Sequence, residues 1–285
     1  MRHWLIANTR AGNDARGADF WRPHLARAGL AAPQVRDIAD TAWESALAPG
    51  DTVLVAGGDG SVNRAAGVCL ERDAILGVLP SGTANDFARN LALPEDPDAL
   101  CALIARGPTT RVDVGWLDER LFLNVVHVGL GTLPARQASP RLKRWLGRFS
   151  YAAMLPQLRR LGLLRGFQAR LEADDEALEA RWLSLAVASG AFFGGGSRVP
   201  GASARDGRLT LVAIRPRPWW RLLWTFGVTR LRGRTPEDDD SVVARSPTRC
   251  RIVMHHEHRV TADGDSLGHV RELSLRVEPA ALRVI

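Results

Sequence analysis

Two neighbouring stretches constrain this chain more than any other feature. "DTVLVAGGDG" (51–60) is an apolar run that opens into a glycine-rich loop, and "SVNRAAGVCLE" follows with helical spacing. "AILGVLPSG" (74–82) repeats the plan, and "NDFARNLAL" follows as the next helix. Strands that alternate with helices cannot pair by tight turns. They predict a parallel sheet with helical crossovers, both loops lying at the carboxyl ends of strands. Ligands of such sheets bind at those ends. "HWLIAN", the helix pattern "ADFWRPHLARAGL" and "PQVRDI" extend the same alternation toward the start of the chain.

After about residue 110 the pattern changes. "RVDVGWL", "RLFLNVVHVGL", "FQARLEA", "ARWLSLAVASG", "GRLTLVAIRP", "RCRIVMHHEHRVTADGD" and "VRELSLRVEP" read as strands joined by short turns. The expected organisation is an α/β domain over 1–110 and a mainly antiparallel β domain over 111–280, with a last strand near 280–285 returning to the first domain. With 46% hydrophobic and 24% charged residues, the chain reads as globular, not disordered. No run approaches the roughly 20 apolar residues of a membrane span. The opening segment lacks the apolar run of a secretory signal. Cys69, Cys101 and Cys250 lack metal-ligand spacing and read as reduced thiols, so the expected location is the cytoplasm.

The two loops carry the chemistry. Gly57, Gly58 and Gly60 let backbone N–H groups turn toward an anion, and a helix N-terminus after Ser61 adds its dipole. Asp59 would repel a phosphate unless a Mg²⁺ lies between them; it could equally hydrogen-bond the loop or a nucleotide hydroxyl. No Gly-Lys-Ser/Thr follows, so this is not a Walker A loop. In the second loop Gly82 gives the turn and Ser81 and Thr83 offer hydroxyls. Asn85 and Asp86 open the next helix. A helix cap needs one such residue, and this loop has four. "HHEH" (255–258) places His256 and His258 on one strand face with no third ligand nearby, and reads as a polar hairpin. Asp206-Gly207 and Asp263-Gly264 read, on the residues alone, as β-turns.

The pair "GGDGSVN" and "LGVLPSGTANDFARNL" resembles the catalytic domain of the diacylglycerol kinase-like family, in particular its bacterial lipid kinases. "NTRAGNDARG" (8–17) is similar to that family's first loop. "FLNVVHVGLGTLPARQ", "SGAFFGGGSRVPGASARDGRLTLVAI" and "VTADGD" resemble its later elements, so the likeness covers nearly the whole chain. The resemblance implies an N-terminal domain of the NAD kinase/phosphofructokinase type and a C-terminal β-sandwich, with ATP in the cleft between them. It implies nucleotide contacts at Asn8, Thr41, the run Gly57, Gly58, Asp59, Gly60, Ser61, Val62 and Asn63, and Thr83, in the loop shared with Ser81, Gly82, Asn85 and Asp86. It implies a structural Mg²⁺ at Asp206, with backbone carbonyls near Ser203 and Arg208. It implies a proton acceptor at Asp265, with Asp263 beside it and Asp59 helping to place the metal.

Three positions depart from the pattern. Asp265 stands where the family has Glu, a methylene shorter. Ser61 replaces the commoner Thr, and "NTRAG" lacks the usual Pro and Ser. The net charge of +7 is almost all Arg, Lys143 being the single lysine. Residues 141–165 hold seven basic residues and no acid, and 215–234 hold six arginines among Trp219, Trp220, Trp224 and Phe226. Such segments suit a peripheral, anionic membrane surface. No nucleic-acid motif accompanies them. The expectation is an ATP- and Mg²⁺-dependent lipid kinase, the alternatives being a soluble small-molecule kinase or a non-catalytic binding member. A homodimer is left open.

Overall fold

The computed structural model describes residues 2–7, 16–30, 32–132, 165–218 and 241–285. In chain order the elements are β1 (His3–Ala7), α1 (Ala18–Arg27), β2 (Gln34–Asp37), α2 (Ala42–Ala46), β3 (Thr52–Gly57), α3 (Asp59–Glu71), β4 (Ile75–Pro80), α4 (Asp86–Asn90), α5 (Pro97–Arg106), β5 (Thr110–Leu117) and β6 (Arg120–Phe122). Then come β7 (Val125–Gly129), β8 (Phe167–Ala173), β9 (Glu176–Trp182), β10 (Ser184–Ala188), β11 (Phe192–Phe193), β12 (Ser197–Arg198), β13 (Thr210–Ile214), β14 (Val242–Arg245), β15 (Arg249–Ala262) and β16 (Asp265–Val284). The chain divides into two units. The first holds 1–124, 189–208 and 277–285; the second holds 125–188 and 209–276. Residues 111–124 and the 189–208 segment thus pack with the first unit, although their pattern reads as part of the β region.

In the first unit β2, β1, β3, β4 and the end of β16 lie in that order, all parallel. The final strand joins β4 through Val284, opposite Leu76. Alternation along the strands sends residues to two buried faces. Trp4, Ile6, Val53, Val55, Leu76 and Val78 meet Val62, Ala65, Ala66 and Cys69 of α3 on one face. Leu5, Ala7, Leu54, Ala56, Ile75 and Leu79 meet Trp21 and Leu25 of α1 and Leu100, Cys101 and Ile104 of α5 on the other. Helices on both faces leave only the strand ends open, and the glycine loops occupy the carboxyl ends.

The second unit is antiparallel. β14, β13, β10, β7, β15 and β16 pair in order. β15 divides its edge: Cys250–Met254 pair with β8, whereas Val260–Ala262 pair with β7. Its register against β16 shifts between Val253 and His258, a bulge that bends the strand where it leaves one partner for the other. This unit is the β-sandwich. The "HHEH" run lies in that bulged stretch of strand, and among the described residues no group of His, Cys, Asp or Glu is arranged to hold a metal. Among the described residues no helix is long and apolar enough to cross a membrane. The basic segments fall, apart from Arg165 and 215–218, outside the described residues, as does Asn8.

Candidate active site

A groove of about 390 Å³ lies at the carboxyl ends of the first unit's strands, lined by Ile38, Gly58, Asp59, Gly60, Ser61, Arg64 and Gly82. Its floor depends on two glycines touching back to back. A Cβ on Gly82 would fall 2.5 Å from the Gly58 Cα, and one on Gly58 would fall 3.2 Å from the Gly82 Cα. Any side chain at Gly82 would therefore push the two loops apart. α3 begins directly after Gly58. Gly58 O accepts the first helical bond, from Val62 N at 3.0 Å. The amides of Asp59 and Gly60 precede that first bond, at the positions where a helix leaves its N–H groups pointing outward. With the helix dipole they form an anion-binding end.

Several polar residues of the second loop hold the loop itself. The Asn85 backbone is left-handed, at φ 51°, and its side chain makes no cap. Instead its Oδ1 accepts Gly82 N and its Nδ2 donates to Gly82 O, both at 2.9 Å. Ser81 Oγ accepts the Trp21 indole N–H at 3.0 Å and donates to Arg16 O at 2.7 Å. Asp86 is buried and accepts Gly195 N at 2.9 Å and Gly196 N at 2.8 Å. Asn90 continues the staple, accepting Phe192 N and donating to Asn124 Oδ1. Thus the crowding of polar groups in "SGTANDFARN" fastens three loops together. Thr83 is exposed. In the first loop Val62 is core, and Asn63 Nδ2 donates to Leu121 O at 3.4 Å. Thr41 stands exposed at the start of α2.

Asp59 bridges the loops. Its Oδ1 accepts Phe87 N at 3.0 Å, at the start of α4. Burial raises its pKa, and the nearby Asp86 charge adds to that, against the lowering by the α4 amides. A half-buried carboxylate so placed favours a neighbouring cation or proton.

The acidic residues of the two later turns, Asp263, Asp265 and Asp206, have different surroundings. Asp263 (φ 48°) and Gly264 (φ 92°) are the central residues of a two-residue hairpin that pairs Ala262 with Asp265. Both residues have positive φ, which that turn requires. Asp263 Oδ1 accepts Val125 N, and its own N–H donates to Val125 O, both at 2.9 Å. Asp263 is therefore a structural clasp on β7. Asp265, at the first position of β16, is exposed. At the 203–208 turn, Asp206 Oδ1 accepts Arg208 N at 3.1 Å and Ser203 Oγ accepts Arg205 N at 3.2 Å. Asp113, buried on β5, holds this turn by accepting Gly207 N at 2.7 Å and Ala280 N at 2.8 Å. One exposed carboxylate with backbone carbonyls is a donor set that Mg²⁺ takes, because it keeps several waters. Asp206 Oδ2, beside the oxygen that accepts Arg208 N, is the carboxylate oxygen this turn would offer such an ion.

Sequence reasoning missed Asp113, Asn90, Ile38 and Arg64. Arg64 was legible: it follows Gly60 by four residues, so α3 puts both on one face. Asp113 sits in a strand pattern, where a single carboxylate gives no signal.

Residues 2–117 match the model of the diacylglycerol kinase catalytic domain. Residues 124–285 match that of the YegS C-terminal NAD kinase beta sandwich-like domain. A Pseudomonas aeruginosa protein named "Probable lipid kinase YegS-like" is 37% identical over 85% of this chain and 78% of its own length. A Staphylococcus saprophyticus protein named "Diacylglycerol kinase" is 33% identical over 58% of this chain and 54% of its own. A solved diacylglycerol kinase from Bacillus anthracis shares the fold, with a TM-score of 0.71 at 20% identity, covering 100% of this chain and 96% of that one. The glycine-paired groove, the β-sandwich and the two adjoining domain matches agree: the chain belongs to the YegS-like lipid kinase family and is a kinase.

Proposed function

We propose that the chain transfers the γ-phosphate of ATP to the hydroxyl of a lipid alcohol, diacylglycerol or a relative of it, at an anionic membrane surface. The observation that carries this reading is the groove, where Gly58 and Gly82 in contact bring both loops against the N-terminus of α3, an end that favours anions. Phosphoryl transfer needs positioning and charge neutralisation more than covalent help from the protein. Gly58–Ser61 hold the phosphates through backbone amides. Asp59 holds negative charge at the groove wall, fixed by the Phe87 amide. Asp265 accepts the proton of the acceptor hydroxyl; its exposure supports it over Asp263, which is committed to Val125. Mg²⁺, when bound, neutralises phosphate charge; Asp59 would help place it, and Asp206 with carbonyls near Ser203 and Arg208 would hold a structural ion.

The test is transfer of labelled γ-phosphate from Mg-ATP to vesicles containing diacylglycerol, phosphatidylglycerol, sphingoid bases and polyprenols. The expected result is one labelled lipid, lost in Asp59→Ala and in Asp265→Ala. Binding of ATP without labelling by wild type, and labelling regained in Asp265→Glu, would show that the shorter carboxylate has disabled the base. NAD phosphorylated in place of every lipid would overturn the reading.

A further inference from the structure

The groove is chemically asymmetric, and the strand order gives the direction. Gly82 follows β4, Gly58 follows β3, and Ile38 follows β2, two strands away from β3. At about 4.8 Å per strand the Ile38 side lies roughly 10 Å from the glycine pair. That is the span between the phosphates of a nucleotide and its base. On the Ile38 side stands Arg64, one helical turn along α3 from Gly60. Its Nη2 bonds Glu44 Oε1 of α2 at 2.7 Å. The Arg64 side chain is 40% exposed and the Glu44 side chain 28%. Arg64 is the one cation among the described residues lining the groove.

Resting on the nucleotide reading above, we propose that Arg64, oriented by Glu44, is a specificity-determining residue that seats the nucleobase, with Ile38 as the apolar part of the same seat. Two observations favour the base over the phosphates. The phosphate end already has the α3 amides. And Glu44, through its one bond to Nη2, tethers the guanidinium and offsets part of its charge, leaving a flat face for a ring to stack on. Lysine would keep the charge and lose the plane.

The experiment is calorimetric binding of ADP and of inorganic tripolyphosphate to wild type, Arg64→Ala, Arg64→Lys and Glu44→Gln, with thermal melts to establish folding. ADP affinity is expected to fall about tenfold in both Arg64 variants. The fall should be smaller in Glu44→Gln, and tripolyphosphate affinity should be unchanged throughout. In turnover, the KM for ATP should rise while kcat holds. Tripolyphosphate weakening in Arg64→Ala, with recovery in Arg64→Lys, would overturn the proposal in favour of a phosphate contact. Wild-type affinity for ADP in Arg64→Ala would also overturn it. If wild type binds neither ligand, the nucleotide reading itself falls and takes this inference with it.

Discussion

Asp51 and Asp59 stand just beyond opposite ends of β3, and their surroundings push them in opposite directions. Asp51 lies at the amino end and is buried. Burial alone would raise its pKa. The Arg2 and Ala48 amides, the Trp4 indole and the Arg2 guanidinium outweigh burial and hold it at about 2. Asp59, at the carboxyl end, is raised by burial and by Asp86, with the α4 amides offsetting only part of that. One carboxylate is saturated with donors and fastens the strand. The other is left wanting positive charge at the wall of the groove proposed to bind phosphates. Ligands of parallel sheets bind at the carboxyl edge, and the opposite shifts of these two carboxylates follow that division.

The largest effect should come from Asp59. Asp59→Asn keeps an oxygen for the Phe87 amide but removes the charge. Activity should fall about 100-fold or more, while the unfolding midpoint at pH 7 holds or rises. The sign follows from linkage. A carboxylate whose folded pKa lies above its unfolded value of 3.8 costs stability once pH rises through that window. Full activity in Asp59→Asn would remove Asp59 from the chemistry and end the contrast.

Asp51→Asn should do the reverse. Activity per folded molecule should be unchanged, and denaturant melts should show a loss of about 2–3 kcal/mol at pH 7, since several buried donors lose a charged partner. The folded pKa is depressed, so this contribution is complete above 3.8 and disappears as pH falls toward about 2. Wild-type stability should therefore fall through that window, with a shallower slope in Asp51→Asn. Equal slopes would show that the donors around Asp51 add nothing to its charge.

The fold was legible because the strands of the first unit are buried on both faces and read as unbroken apolar runs, "VLVAG" and "ILGVLP" above all. The two glycine loops were legible as motifs, but their contact, closest at Gly82 against the Gly58 Cα, appears only in the fold. Residue roles were less so. Asn85 and Asp86 have the composition of ligands and the geometry of staples, because the same amides and carboxylates that bind phosphate partners also bind backbone. Asn85 closes on Gly82 within its own loop, whereas the amides that Asp86 meets lie in 189–208, more than 100 residues away in sequence. Asp263 was ambiguous for the same reason: its partner Val125 is remote, and only pairing shows that its carboxylate is occupied. The seat at Ile38 and Arg64 spans β2, α2 and α3, and no local motif encodes it.

A third carboxylate calibrates the pair. Asp96 has neither the donors of Asp51 nor the groove of Asp59. Its Oδ2 accepts one amide, Ala99 N at 2.8 Å, and caps α5. Asp96→Ala should cost about 1 kcal/mol, the ordinary worth of a cap, and Asp96→Asn much less because Asn caps equally well. Neither should alter activity, since α5 packs on the face of the sheet opposite α3. The denaturant midpoint reads both. If Asp96→Ala costs as much as Asp51→Asn, then donor number does not rank these carboxylates, and the strength of the Asp51 site has to come from the Arg2 ion pair alone.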